Sequence, residues 1–314
     1  MDTTFINRVK KNFAFLKKWA KKENITAFRV YDKDIPQYPY TIDFYAGALV
    51  VYQYETPKSQ QEYIEQDKEK LSQCLTELKT FFNINADNLF LKARKKQKGL
   101  NQYEKQEQKE ITQIINEGKM KFKVNLSDYL DCGLFLDHRK TRQLIQNLSK
   151  DKKVLNLFAY TGSVSVAAAL GGATSVTTID MSNTYLQWAK DNFVINNLAL
   201  ENNFFIRADV LAWIKDIPLS NTYDLIFIDP PSFSNSKKML EIFDVQKDYV
   251  FLIQQCAKVL NTNGIIFFSN NLKSFKFDDA LFNKYFKISN VTKKTIPQDF
   301  RNEKIHQAWI LEKI

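Results

Sequence analysis

Cysteine is scarce in this 314-residue chain: Cys74, Cys132 and Cys256 lie far apart. Their spacing fits neither a zinc site nor an even set of disulfides, and such usage suits a reducing, cytoplasmic compartment. Histidine is scarcer still, with only His138 and His306. Neither has a nearby cysteine or carboxylate cluster of metal-ligand type, so no metal is expected, and His138 reads as a surface or capping residue. No uncharged apolar run approaches the roughly 18 residues of a membrane span. The basic, amphipathic N-terminus has no apolar core or cleavage site of a secretion signal behind it. Repeats and low-complexity tracts are also missing.

What is present is a globular composition, 44% hydrophobic and 14% aromatic, long enough for two domains. The net charge is +10 and the pI about 9.2. This balance suits a polyanionic partner, RNA or DNA, as well as a merely lysine-rich enzyme. The excess is uneven: residues 1–125 hold 23 Lys and Arg against 16 Asp and Glu, and residues 126–314 hold 22 against 19.

Residues 4–23 read as an amphipathic helix with Phe5, Val9, Phe13, Leu16 and Ala20 on one face. Arg8, Lys10, Lys11, Lys17, Lys18, Lys21 and Lys22 crowd the other, as a solvated face or a phosphate-contacting one. AFRVYD, TIDFYA and LVVYQYE predict three strands, the last two a hairpin across Ala46-Gly47. A helix from about Ser59 to Phe82 follows, and then NLFLKAR, ITQII and KFKVNL as strands. Between them, residues 95–105 form a basic loop. Its Lys95, Lys96, Lys98 and Tyr103 suit an RNA backbone with a stacked base, or an ordinary hairpin loop. These elements define an α+β module over residues 1–126 and leave residues 127–314 as a second domain.

The second domain reads as a helix from His138 to Leu148 capped by Asp137, and then a strand, turn, helix and strand between Lys152 and Asp180. Helices and strands alternate onward: a helix at 183–196, a strand at 204–207, a short helix at 211–215 and a strand at 223–228. A helix at 243–260 stopped by Asn263-Gly264 precedes a strand at 265–269, a further helix, and the strands KISNVTKK and QAWILEK as an antiparallel edge. Such alternation predicts a doubly wound, Rossmann-like α/β sheet. Asp180, Asp209 and Asp229 follow three successive strands, at the end of an open sheet where ligands bind. Each alone is commonly a helix cap, but the series favours a nucleoside cofactor, with Asp180 on a ribose.

The order Asn156-x-Phe158-x-Tyr160-x-Gly162, then Asp180, Ala208-Asp209 and Asp229-Pro230-Pro231-Ser232-Phe233, resembles class I S-adenosylmethionine-dependent methyltransferases. Phe158 and Tyr160 stand where glycines are usual, which argues against a pyrophosphate-binding NAD turn. GLFLDHRKTR, FDVQKD, FSNN and QDFRNEKIHQAW narrow the resemblance, as do RVYDKDIPQYPYTIDFYA and KARKKQKGLNQYEK in the first module. These segments resemble the guanine-N7 half of the bifunctional large-subunit ribosomal RNA methyltransferases K/L over nearly the whole chain. The guanine-N2 half of that family has no counterpart in these residues.

The resemblance implies S-adenosylmethionine as cofactor, held by Phe135, Arg139, Asn156, Phe158, Tyr160, Thr161, Gly162, Asp180, Met181, Ser182, Asp209 and Asp229. Arg139 reads equally as a structural salt-bridge partner. Asp229, Pro230 and Pro231 would orient the target base and Phe233 would stack on it. Asn270 and Asn271 would meet the base edge or serve only the turn. The implied partner is large-subunit (23S) rRNA or its precursor particle, acted on by a cytoplasmic monomer or weak homodimer. One position bears on the reaction. Cytosine-C5 transfer needs a cysteine thiolate, which the related 5-methylcytosine enzymes carry just after strand five, where this chain has Ser269-Asn270-Asn271. Guanine N7 has an exposed lone pair and no proton to lose, so positioning suffices. Guanine-N2 or other exocyclic-amine transfer is the alternative, because D-P-P-x-aromatic also resembles the motif of those enzymes.

Overall fold

The structure is a computed structural model that describes residues 3–54, 61–94, 109–234 and 242–314, with backbone only for 61–67 and 94. No helix among the described residues is long and apolar enough to cross a membrane. The chain divides into two compact units: residues 1–119 with 124–132 and 299–301, and residues 120–123 with 133–298 and 302–314.

The first unit begins with α1 (Thr4–Lys22), followed by β1 (Ala27–Asp32), β2 (Tyr40–Tyr45) and β3 (Ala48–Tyr54). Helix α2 (Gln61–Phe82) leads to β4 (Leu89–Arg94). The four strands form one sheet in sequence order, antiparallel up to β3 and parallel between β3 and β4. Helix α2 supplies the crossover that a parallel pair requires. The hairpin turns through Ala46 and Gly47, both at positive φ. Phe5, Val9, Leu16 and Ala20 of α1 are buried with Ile42, Leu49 and Val51 of the sheet. Phe13 stacks within a ring cluster of Phe28, Phe44, Phe81 and Phe82. The basic residues predicted on the other face of α1 are exposed. The division between units falls inside β6 (Met120–Asn125), which follows β5 (Thr112–Glu117).

The second unit is the doubly wound sheet. Its elements are α3 (Arg139–Leu148), β7 (Lys153–Leu157), α4 (Ser163–Leu170), β8 (Ser175–Asp180), α5 (Asn183–Ile195), β9 (Asn203–Arg207) and α6 (Val210–Asp216). They continue with β10 (Tyr223–Ile228), β11 (Phe233–Ser234), β12 (Phe243–Asp244), α7 (Val245–Lys258) and β13 (Leu260–Asn270). The unit ends with β14 (Phe286–Asn290), α8 (Thr292–Thr295) and β15 (Gln307–Lys313). Seven strands form the sheet in the order β14-β15-β13-β10-β7-β8-β9. Strands β9, β8, β7, β10 and β13 run parallel, and β15 is antiparallel to both β13 and β14.

The apolar runs of β7, β8, β10 and β13 are buried on both faces, whereas the edge strand β9 leaves Phe204 exposed. Leu155, Leu157, Ile226 and Ile228 pack with α6 and α7, and Val154, Leu225 and Phe227 with α3 and α4. The helices after β7 and β10 therefore cover opposite faces, and the strand order reverses between these two strands. That point is where an open α/β sheet opens its ligand crevice, outside the carboxyl ends.

Four expectations are corrected. Asp137 does not cap α3: a short 3-10 turn at Leu136–His138 precedes the helix, and its N-cap His138 makes no side-chain cap bond. Asn263-Gly264 does not stop α7. That helix ends at Lys258, and the pair lies inside β13, where the ladder to β10 skips from Leu260 to Ile265 and Asn263 takes a φ of 59°. Such an irregularity tolerates the turn residues that the sequence reads as a boundary. The strand ends at Asn290, Thr292–Thr295 form a short helix instead of continuing it, and the helix expected ahead of that strand is only a single 3-10 turn, Asp279–Leu281.

Candidate active site

The crevice is built first by the turn after β7. Phe158, Tyr160 and Gly162 have φ values of 55°, 51° and 68°, so alternate residues of the turn are left-handed. Two of these carry side chains that normally disfavour that conformation, and such strain gathers at functional sites. Their rings hold the turn in place: Phe158 lies 5.6 Å from Phe243, and Tyr160 lies 5.2 Å from Phe135 and 4.6 Å from Tyr185. Gly162 precedes α4, and a Cβ there would meet Ala189 Cβ at 2.5 Å. Thr161 Oγ1 donates to the carbonyl of Gly133, and Asn192 Nδ2 donates to the carbonyl of Thr161. Asn156 is buried at the end of β7. Its Nδ2 donates to Ser165 Oγ at 2.9 Å, while its Oδ1 has no hydrogen-bond partner.

Asp180 closes β8 beside this turn. One oxygen accepts the N–H of Tyr160 at 2.8 Å and the other that of Ser182 at 2.9 Å. Burial pushes the carboxyl up to about 6, against the pull of these backbone bonds. A carboxylate has about four acceptor positions, so the backbone N–H groups of Tyr160, Met181 and Ser182 leave acceptor capacity that could take a hydroxyl. Ser182 caps α5 by accepting from Tyr185 N, and the carbonyl of Met181 accepts from Arg207. These residues could hold an adenosyl cofactor without phosphates: a buried carboxylate with open acceptor capacity stands beside a turn filled by the Phe158 and Tyr160 side chains.

Asp209 is the N-cap of α6, its side chain accepting from Leu211 N at 3.0 Å. The common capping role is therefore realised there. Asp209 also borders a separate groove of about 690 Å³ lined by Thr177, Phe204, Ile206, Trp213 and Tyr223, which contains neither Gly162, Asp180 nor Asp229. Arg139 is fully buried at the start of α3.

At the end of β10, Asp229 Oδ1 accepts from Ser269 Oγ at 2.6 Å. Pro230 is buried and Phe233 half exposed at 51% in β11. Asn271 is exposed, and its Oδ1 accepts from Ser232 Oγ. Asn270 is fully buried, with Oδ1 accepting from Leu272 N, which is the turn role; its Nδ2 has no partner. Lys95, Lys96, Lys98 and Tyr103 lie outside the described residues.

The sequence reading missed the two histidines. His138 is neither a surface nor a capping side chain: it is buried, its ring stacked on that of His306 at 4.7 Å. Its Nε2 lies 3.6 Å from Asp229 Oδ2 and 3.9 Å from Asp137 Oδ2, and burial lowers its pKa. His306 Nδ1 lies 3.3 Å from Asp137 Oδ2. A carboxylate cluster thus does stand beside both histidines. The rarity of histidine was the available signal, but no spacing links residues so far apart in the chain.

A family model described as S-adenosylmethionine-dependent methyltransferase matches residues 29–284. The chain is 49% identical over 312 residues to the ribosomal RNA large subunit methyltransferase K/L of Shewanella loihica, covering 99% of this chain and 43% of that one. It therefore spans less than half the length of the curated relatives it matches. A solved structure of a protein described as a methyltransferase, complexed with SAH, superposes with a TM-score of 0.76 at 26% identity, covering 99% of this chain and 81% of the other. A SAM-dependent methyltransferase from Streptococcus mutans superposes with a TM-score of 0.74 at 25% identity, with the same coverage. The match over most of its length places the chain in the S-adenosylmethionine-dependent methyltransferase family, with S-adenosylmethionine as its cofactor.

Proposed function

We propose that this chain methylates large-subunit (23S) rRNA, free or in a precursor particle, at guanine N7 by direct displacement without a covalent enzyme intermediate. The observation that carries the choice of reaction is the segment Ser269-Asn270-Asn271. It stands where covalent C5 transfer needs a thiolate, yet it offers only a fully buried serine bonded to Asp229 and two asparagines. Cys74, Cys132 and Cys256 are all buried, and burial pushes the Cys256 thiol well above its ordinary value. The name of the Shewanella relatives supports the substrate class.

When bound, S-adenosylmethionine supplies an electrophilic methyl group on a sulfonium. The chain's own residues bind and orient. Asp180 accepts the ribose hydroxyls, with Met181 and Ser182 beside it. Phe135, Asn156, Phe158, Tyr160, Thr161 and Gly162 shape the turn side of the pocket. Asp229 and the Pro230-Pro231 backbone hold the base, and the half-exposed Phe233 offers a ring for a nucleotide splayed from the helix. The exposed lysines of α1 suit phosphate contacts. Transfer of a tritiated methyl group to naked rRNA by the wild type and by Asp229→Ala tests this reading. Loss of transfer in the variant with retained cofactor binding is expected, and equal transfer by both removes the role of Asp229.

A further inference from the structure

Thr295 Oγ1 donates to the carbonyl of Thr292 at 2.8 Å, so its contact with His306 Nε2, also 2.8 Å, requires the ring to donate. That assignment leaves Nδ1 of a neutral His306 as a lone pair 3.3 Å from Asp137 Oδ2. Either a proton on Nδ1 or a metal ion must therefore lie between the two atoms. His306 is fully enclosed, whereas the Asp137 side chain retains 19% exposure, which gives an ion a path in.

The second histidine distinguishes the kind of cation. His138 Nε2 stands 3.9 Å from Asp137 Oδ2 and 3.6 Å from Asp229 Oδ2. Both separations exceed the length of an N–H···O hydrogen bond, so a ring proton does not bridge them. Two ligands on one tetrahedral zinc, with bonds of roughly 2.0–2.2 Å, stand about 3.3–3.6 Å apart. The ligand atoms of Asp137, His138 and His306 all lie within 4.8 Å of one another. Asp229 Oδ1 is taken by Ser269, and Oδ2 faces the cluster. His306 also has the outer partner typical of a metal-bound imidazole, its second nitrogen fixed by Thr295.

From this convergence we propose that Asp137, His138 and His306 form a site for a divalent transition-metal ion of the zinc class, with Asp229 in reach as a fourth ligand. Two imidazoles select zinc, cobalt or nickel over magnesium. The inference rests on the cluster alone and stands whichever base the protein methylates.

The test is titration of zinc chloride into the chelator-treated full chain by calorimetry, with cobalt(II) as a spectroscopic probe. One zinc per chain is expected, with the intense visible bands of tetrahedral cobalt and no response to magnesium. Asp137→Asn and His306→Gln are expected to weaken zinc binding by more than the roughly 10–100-fold that loss of an outer partner costs, and Thr295→Val by about that amount. Retained SAH binding reports that each variant is folded, and Asp137→Asn, the most exposed of these positions, carries the comparison if a buried substitution fails to fold. Absence of saturable zinc binding by the wild type overturns the proposal, as do variants that bind like wild type. A histidine NMR spectrum showing a protonated, zinc-indifferent His306 Nδ1 assigns the cluster to an imidazolium–carboxylate pair and also overturns it.

Discussion

Ser269 Oγ donates to Asp229 Oδ1 at 2.6 Å, joining the carboxyl ends of the neighbouring strands β13 and β10. A hydrogen bond to a charged group contributes about 1.5–3 kcal/mol, and this one fixes a carboxylate assigned to the target base. Ser269→Ala is expected to lower kcat about tenfold and to leave SAH affinity within about twofold. Steady-state kinetics with calorimetric SAH binding check this. A variant with unchanged kcat contradicts the positioning role.

The proposed role of Asp180 links cofactor affinity to pH. In that role ribose hydroxyls donate to the ionised carboxylate, whose folded pKa is raised to about 6 by burial. Affinity for SAH is therefore full above pH 6 and declines as the carboxyl protonates below it, approaching tenfold per unit. Stability has the opposite sign. The folded state holds a proton that the unfolded chain releases near its ordinary value, so the group's stabilising contribution is complete at low pH and is lost as pH rises through about 6. Calorimetry from pH 5 to 8 on wild type and Asp180→Asn measures the first effect, and a flat wild-type profile would count against the assignment.

Gly133 has a φ of 90°, and a Cβ there would lie 2.1 Å from Trp188 Cζ2. The indole is itself fixed by donating to the carbonyl of Lys123 at 2.8 Å. Gly133→Ala is expected to cost roughly 2–4 kcal/mol from combined strain and overpacking. Thermal unfolding tests this, with a fall in Tm of several degrees expected; an unchanged Tm shows that Trp188 yields.

Cys256, on α7, is enclosed in the apolar core between that helix and the sheet, and burial pushes its thiol well above its ordinary value. Cys256→Ala is expected to keep methyl transfer within about threefold, with a modest loss of stability from the lost packing. RNA carrying 5-fluorocytidine is expected to form no covalent adduct with the protein. A trapped adduct would demonstrate covalent C5 chemistry and remove the proposed reaction.

Much of the second unit was legible because its signals are local. The apolar run at Val154, the small residues of α4 and the acid at Asp180 each follow from short-range rules. The left-handed Phe158 and Tyr160 sit where the sequence pattern departs from glycine. What escaped depends on distant partners or on competing local roles. Asp137 reads as a cap but faces His306, 169 residues away. Asn263-Gly264 has turn chemistry that β13 absorbs as an irregularity opposite β10. Asp209 fits both a cofactor contact and a helix cap, and the sequence does not rank them.

The central claim is guanine-N7 transfer to large-subunit rRNA. Its most direct test is mass mapping of 7-methylguanosine in rRNA from a strain lacking this protein, with and without the purified chain and S-adenosylmethionine. The account predicts that one 7-methylguanosine is missing from the deletion strain's large-subunit rRNA and returns on treatment. Unchanged N7 marks, with loss of a methyl from a guanine N2 or a cytosine C5, contradict it.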